Sequence, residues 1–238
     1  MSDELQLKIK LLSDTTFGRG DGVAGLVDQE VEHDDCGFPY LRGRTLKGLL
    51  SEECDNVIVL LKDDIQKHWL DVRNKLFGVP GSVLETMSIM HVGDACLPDK
   101  LRQVVAIQME IEQKKEQQNK YQLTPADILN SLTTIRRQTA INSESGSSEK
   151  GSLRSARVLI RDRPNTQARF TANLFFDQEL TEDMKSLLVV GVLALRHLGS
   201  GRNRGRGHVQ CSLYDVQKNN LTQDTDLLNR FGTITGDK

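Results

Sequence analysis

The chain has 238 residues and a mass of 26.7 kDa, with 37% hydrophobic, 27% charged and only 5% aromatic residues, which excludes a peptide or a bare scaffold and leaves a somewhat polar globular protein with few rings to stack on bases. The longest apolar run, Leu187 to Leu195, is far short of the roughly 20 residues a membrane-spanning helix needs, Met1-Ser2-Asp3-Glu4 lacks a basic and apolar leader, and Cys36, Cys54, Cys96 and Cys211 form no CxxC pair, so a soluble cytoplasmic protein is expected, with no membrane partner, zinc ribbon or disulfide framework and with its cysteines as small buried hydrophobes. The net charge of −2 hides a polarised chain: Arg136 to Arg169 and Met184 to Tyr214 each carry a net charge of +5, leaving −12 for the rest, which can present a basic face to a polyanion unless the arginines scatter over several faces.

Leu5, Leu7, Ile9 and Leu11 alternate with polar residues and predict a half-buried first strand. A long irregular loop follows, spaced by Gly18, Gly20, Gly22 and Gly25 and then by Asp28, Glu30, Glu32, Asp34 and Asp35, up to Gly37-Phe38-Pro39. Leu46, Leu49, Leu50, Cys54 and Val57 recur at helical spacing after Arg44-Thr45, with a strand-like run at Val57 to Leu61, and Ile65, Trp69, Val72 and Leu76 mark a second helix stopped by Gly78 and Pro80. Ser88 to Leu97 reads as a central strand. Leu101 to Tyr121 then passes from apolar to a tract rich in Gln, Glu and Lys, and Thr124-Pro125 starts a helix carrying Ile128, Leu129, Leu132 and Ile135. Ser143 to Ser148 is a low-complexity tip expected to be mobile. Phe170, Ala172, Leu174 and Phe176 alternate as a strand, Thr181 starts an apolar helix running to Leu198 and ended by Gly199, and Val209, Cys211 and Leu213 form the last strand. This order fits an α+β, ferredoxin-like (RRM-like) sandwich, with residues 1–97 and 153–238 as the core and residues 98–152 as an inserted helical lid or thumb segment.

The sharpest chemical signal is Leu198 to His208, where Gly199, Gly201, Gly205 and Gly207 alternate with Arg202, Arg204 and Arg206 between a helix and a strand. Glycines let backbone N–H groups approach phosphates, and guanidinium forks match phosphate oxygens. The helix-to-strand order is the reverse of a dinucleotide fingerprint, and no Gly-Lys-Ser/Thr ending marks a P-loop. A basic but idle turn is the plainer alternative. In the acidic segment, carboxylates beside a basic track can hold a divalent metal or activate a hydroxyl. A merely solvated acidic loop, with His33 an exposed loop histidine, is the competing reading.

Tyr40-Leu41-Arg42-Gly43-Arg44-Thr45-Leu46-Lys47-Gly48 resembles a signature of the repeat-associated mysterious protein (RAMP) superfamily of CRISPR effector subunits, with Arg42 where that family more often has proline. Gly199 to Gly207 resembles the family's second hallmark, and Leu76-Phe77-Gly78 with Val92-Gly93-Asp94-Ala95 its "LFG … D-A" segment. Gly25 to Asp34 is similar to a segment of type III backbone subunits whose first Asp cleaves target RNA, and that Asp maps onto Asp28. Gln29-Glu30 departs from the small or proline residues usual there.

The resemblance implies a prokaryotic type III CRISPR effector subunit that binds guide (CRISPR) RNA and cleaves the paired target RNA. Its partners would be other RAMP subunits and the large subunit of the complex. Asp28 would be the catalytic residue of a metal-dependent endoribonuclease and a ligand of a divalent metal such as magnesium. RNA would lie against Arg42, Arg44, Lys47, Arg136, Arg137, Arg202, Arg204 and Arg206 with Gly199, Gly201, Gly205 and Gly207, and Arg136 to Arg163 would form an arginine-rich thumb. Two alternatives stay open: a non-catalytic RAMP subunit capping the 5′ handle of the guide, and an unrelated enzyme for small nucleotides.

Overall fold

The computed structural model describes residues 4–79, 81, 87–114, 122–162, 164–165, 167, 169–216 and 220–233. Pro80 of the expected helix stop, residues 115–121 of the polar tract and Arg163 of the expected thumb lie outside them.

Strand β1 (Leu5–Leu11) buries Leu5, Leu7, Ile9 and Leu11 and leaves the intervening polar side chains on the opposite face. It is central in a four-stranded antiparallel sheet of order β2-β5-β1-β6, with β2 at Met90–Val92, β5 at Phe170–Phe176 and β6 at Val209–Asp215. Helix α1 (Gly43–Ile58) and helix α2 (Asp63–Phe77) connect β1 to β2, and helix α5 (Glu182–Ala194) connects β5 to β6. Two β-α-β halves interleaved in this order, with their helices sharing one core, make the expected ferredoxin-like sandwich. α5 is apolar nearly all round because α1, α2 and the last helix, α6 (Thr225–Thr233), all pack on it. α6, not expected from the sequence, is fastened by the Ser186 hydroxyl donating to the Leu227 carbonyl at 2.6 Å and by Phe231, whose ring centroid lies 4.7 Å from that of the fully buried Trp69.

Several expectations are corrected. The run after Val57 is the frayed end of α1, not a buried strand, since Val59 and Leu60 are 70% and 82% exposed. The segment from Ser88 to Leu97 lies at the edge of the sheet, not its centre: β2 is interrupted after Val92, where the Asp94 carboxylate accepts the Gly43 N–H at 2.7 Å and holds the start of α1, and the chain pairs with β5 again at Cys96 and Thr171. α5 stops at Ala194, and the residues to Leu198 run extended, with His197 bridging to His208. Of the cysteines, Cys54 and Cys211 are buried as expected, whereas Cys36 and Cys96 are half-buried.

Between β2 and β5 the chain makes helix α3 (Asp99–Lys114), helix α4 (Pro125–Leu132) and a hairpin of β3 (Thr133–Gln138) with β4 (Arg154–Leu159). Thr124 and Asp127 close the expected N-terminal cap of α4 reciprocally, side chain to backbone N–H in both directions. The hairpin is the arm of the molecule, and its second strand runs beyond the boundary expected at Ser152. At the tip, Asn142 accepts the N–H groups of Glu144 and Ser145 in an exposed turn.

The loop after β1 is tied to this arm. Thr15 and Leu159 exchange backbone hydrogen bonds at 3.2 and 2.7 Å, Gln29 bridges Ala156 in parallel, and Arg157 N–H donates to the Gln29 carbonyl at 2.9 Å. Residues 28–30 therefore lie along β4 as a short third strand of the arm.

Candidate nucleic-acid interface

The glycine-arginine loop is seated on the first residues after β1. Thr15 Oγ1 donates to the Leu198 carbonyl at 2.6 Å, Ser200 N–H to Thr16 at 2.8 Å and Gly207 N–H to Asp14 at 3.0 Å. Glycine is required at the two ends of the seat: Gly199 and Gly207 have φ of +87° and +74°, and a Cβ there would come within 2.5 Å of the Thr16 carbonyl oxygen and 2.1 Å of the Leu198 carbonyl oxygen. The Ser200 and Gly207 N–H groups are thus spent on the protein itself and are not free for a phosphate. Its outward side is the short 3-10 turn at Arg202–Arg204, with Arg202 and Arg204 exposed and Arg206 half-buried beside them.

These side chains line a groove of about 700 Å³ together with Arg136 and Arg154 of the arm, and with Asp28 on its wall. Arg136 pairs with Asp14 at 2.7 Å and Arg202 approaches Glu52 at 3.7 Å. Among the described residues no carboxylate pairs with Arg154, Arg204 or Arg206, so the groove holds unneutralised positive charge. Gln29, Gln138, Ser155, Gly199 and Gly201 complete its lining.

Asp28 is exposed, yet its carboxylate is fixed: Oδ2 accepts the Ser155 backbone N–H at 2.6 Å and the Ser155 hydroxyl at 3.0 Å. These two donors, with the charge of Arg154 added, hold its carboxyl below the usual carboxylate range. Asp28 and Ser155 also border a second groove of about 610 Å³ on the other side, lined by Val23, Leu26, Leu153 and Arg137. Arg136 and Arg137, adjacent on β3, point to opposite faces of the arm and so serve different grooves.

Three other acids of the loop are paired rather than solvated. Glu30 pairs with Arg157 at 2.8 Å in the interior, Glu32 with Arg42 at 2.6 Å while accepting the Tyr40 hydroxyl at 3.1 Å, and Asp34 with Arg102 at 2.9 Å while accepting the N–H groups of Cys36 and Phe38. His33 is half-buried with Nδ1 3.1 Å from the Asp34 carbonyl, not the exposed histidine expected. Glu30, Glu32 and Asp34 thus anchor the loop to β4, to the residue before α1 and to α3, whereas Asp35 is exposed.

The signature around α1 divides in the same way. Arg42 precedes the helix with φ −58°, an angle proline adopts without strain, which accounts for the departure from the family pattern at this position. Its side chain shares a hollow of about 240 Å³ with Arg202, next to the groove. Arg44 is exposed on the first turn of α1 and lines none of these cavities. Lys47 turns inward: its ammonium donates to the Met90 carbonyl at 2.8 Å, and burial lowers its pKa. Ser155, which holds Asp28, was not visible in the sequence, because only the folded arm brings it to a residue 127 positions away.

As for a metal, the described residues contain no group of three His, Cys, Asp or Glu side chains placed to hold one. Asp28 alone offers a carboxylate oxygen in the groove. That donor fits a magnesium-like ion held by one carboxylate, water and a substrate phosphate, and does not fit an ion caged by protein.

A model of the RAMP superfamily matches residues 8–210. No curated protein matches the sequence. Among solved structures, a chain in the cryo-EM structure of the type III-B Cmr-beta bound to cognate target RNA is similar, with a TM-score of 0.58 and 15% identity over 90% of this chain and 97% of that one. A chain in the apo state of the type III-B Cmr-beta gives 0.55 and 14% over 88% and 96%.

Proposed function

The chain belongs to the RAMP superfamily, and from that membership together with the arginine-lined groove beside Asp28 we propose that it is an RNA-binding subunit of a type III CRISPR effector, holding guide RNA and cutting the paired target RNA. The observation that carries this reading is the meeting, in one groove, of Arg136 and Arg154 from the arm with Arg202, Arg204 and Arg206 from the loop, most of them without an acidic partner among the described residues. Such a surface suits a phosphate backbone and would be costly to keep without one. The similarity to chains of the type III-B Cmr-beta supports the assembly context, in which other RAMP subunits and the large subunit are the partners.

Within the groove, the arginines bind and orient the RNA backbone and offset its charge. Asp28 stands ionised at the wall, one oxygen occupied by Ser155 and the other available. Its lowered basicity makes it a poor proton acceptor and suits it to hold a cation shared with a phosphate. Asp28 would hold a divalent ion there, which would supply neutralisation of the phosphate charge.

The non-catalytic alternative draws on a specific observation: Glu30, Glu32 and Asp34 are all committed to structural pairs, leaving Asp28, among the described residues, the one carboxylate lining the groove. Isolating the chain with its native partners and sequencing the retained RNA tests the common core of both readings. Discrete guide-like RNA is expected; a bound small nucleotide without RNA would overturn them. A copy number above one per complex then favours the cutting backbone role over the cap.

A further inference from the structure

We infer that Ser155 is the positioning residue of the cutting site, and that the arm, not the core, sets where the Asp28 carboxylate stands. This inference rests on the reading of Asp28 as the cutting carboxylate. Ser155 meets Asp28 and its neighbour in both directions. Its N–H and hydroxyl donate to Oδ2 at 2.6 and 3.0 Å, Asp28 N–H lies 3.2 Å from the Ser155 hydroxyl oxygen, and the Ser155 carbonyl accepts the N–H groups of Asp28 and Gln29 at 3.0 and 3.2 Å.

The geometry assigns the two carboxylate oxygens different duties. Both side-chain contacts fall on Oδ2, so the carboxylate cannot swing about its side-chain torsions without breaking a charge-assisted pair, and Oδ1 is the oxygen left for a ligand. An exposed aspartate on a loop ordinarily samples several rotamers, and a reacting group displaced by an ångström loses much of its rate. Here Asp28 is held by a residue of β4, whose other contacts run to Gln29, Glu30 and Thr15. The carboxylate and the arginine Arg154, adjacent to Ser155 in the same groove wall, thus move as one body with the arm.

The discriminating substitution removes only the hydroxyl. In the assembled, guide-loaded complex, Ser155→Ala should lower the single-turnover cutting rate about tenfold, the size usual when a hydrogen-bond partner behind a reacting or ligating carboxylate is lost. The target concentration giving half-maximal rate should stay at the wild-type value. Ser155→Thr keeps the hydroxyl and should restore the rate to within about twofold. A wild-type rate in Ser155→Ala, a parallel loss of rate and target affinity, or failure of Ser155→Thr to restore cutting would overturn the assignment. Asp28→Asn run alongside separates the two levels: if it cuts normally, the reading of Asp28 itself falls and Ser155 has nothing to position; if it is dead while Ser155→Ala cuts normally, only the present inference falls.

Discussion

Arg157 closes on Glu30 with a nitrogen–oxygen distance of 2.8 Å, and the two side chains are 7% and 3% exposed. The guanidinium also donates to Asn130 and Thr133, so it joins the loop after β1 to α4 and β3 at the base of the arm. Glu30 occupies a position where the family more often has small or proline residues, and its interior partner explains how a carboxylate is tolerated there.

Breaking this pair from one side should be severe. Arg157→Met leaves Glu30 buried without a counter-charge and should cost about 3–5 kcal/mol, measured by urea denaturation of the purified chain. Arg157→Met combined with Glu30→Leu should recover a large part of that loss, since no uncompensated charge remains. A single variant as stable as wild type would remove the pair from the base of the arm.

The glycine-arginine loop predicts a graded response at two positions. Gly205→Ala meets no atom within 4 Å and should cost about 1–2 kcal/mol from its φ of +71° alone. Gly207→Ala must in addition displace the Leu198 carbonyl, 2.1 Å from the new Cβ, and should destabilise more in the same denaturation experiment. Equal losses at the two positions would contradict the seat on Asp14 to Thr16.

Replacing Arg202, Arg204 and Arg206 together by alanine should weaken binding to RNA of any sequence and flatten its salt dependence, each lost phosphate contact lowering the slope by about one. A filter-binding titration across salt concentrations reads both effects. Unchanged affinity and slope would take this loop off the RNA path.

Much of the fold was legible because burial leaves a period. β1, β5, α2 and the cap of α4 each show their apolar spacing or capping residues directly. β3 and β4 show none, since much of the arm is exposed and the burial along its strands does not alternate. The interruption between β2 and Cys96 leaves no local signal, because it depends on the Asp94 contact with Gly43, far away in sequence. The candidate site divides similarly. Asp28 and the loop arginines carry local motifs, whereas Ser155, the inward turn of Lys47 and the partners of Glu30, Glu32 and Asp34 depend on elements distant in sequence.

Burial pushes the Cys211 thiol from its ordinary value of 9.0 up to about 12, and that of Cys54 is raised as well. Both should resist alkylation at pH 8 in the folded chain and react fully in urea, with labelling followed by mass spectrometry. The sign of the linkage follows: above pH 9.0 the unfolded thiol loses its proton while the folded Cys211 keeps it, so this contribution to stability is complete below pH 9.0 and drains away as pH rises toward about 12. Stability that stays level across that interval would contradict a neutral buried thiol.

The central claim is that Asp28 cuts RNA that the arginines hold. It is tested most directly by Asp28→Asn in the assembled, guide-loaded complex, with target affinity and target cleavage measured on the same preparation. The account predicts target binding equal to or slightly tighter than wild type, because one negative charge facing a polyanion is gone, together with loss of the cut opposite this subunit; EDTA should likewise abolish the wild-type cut while leaving the RNA bound. Cleavage by Asp28→Asn at the wild-type rate would contradict it.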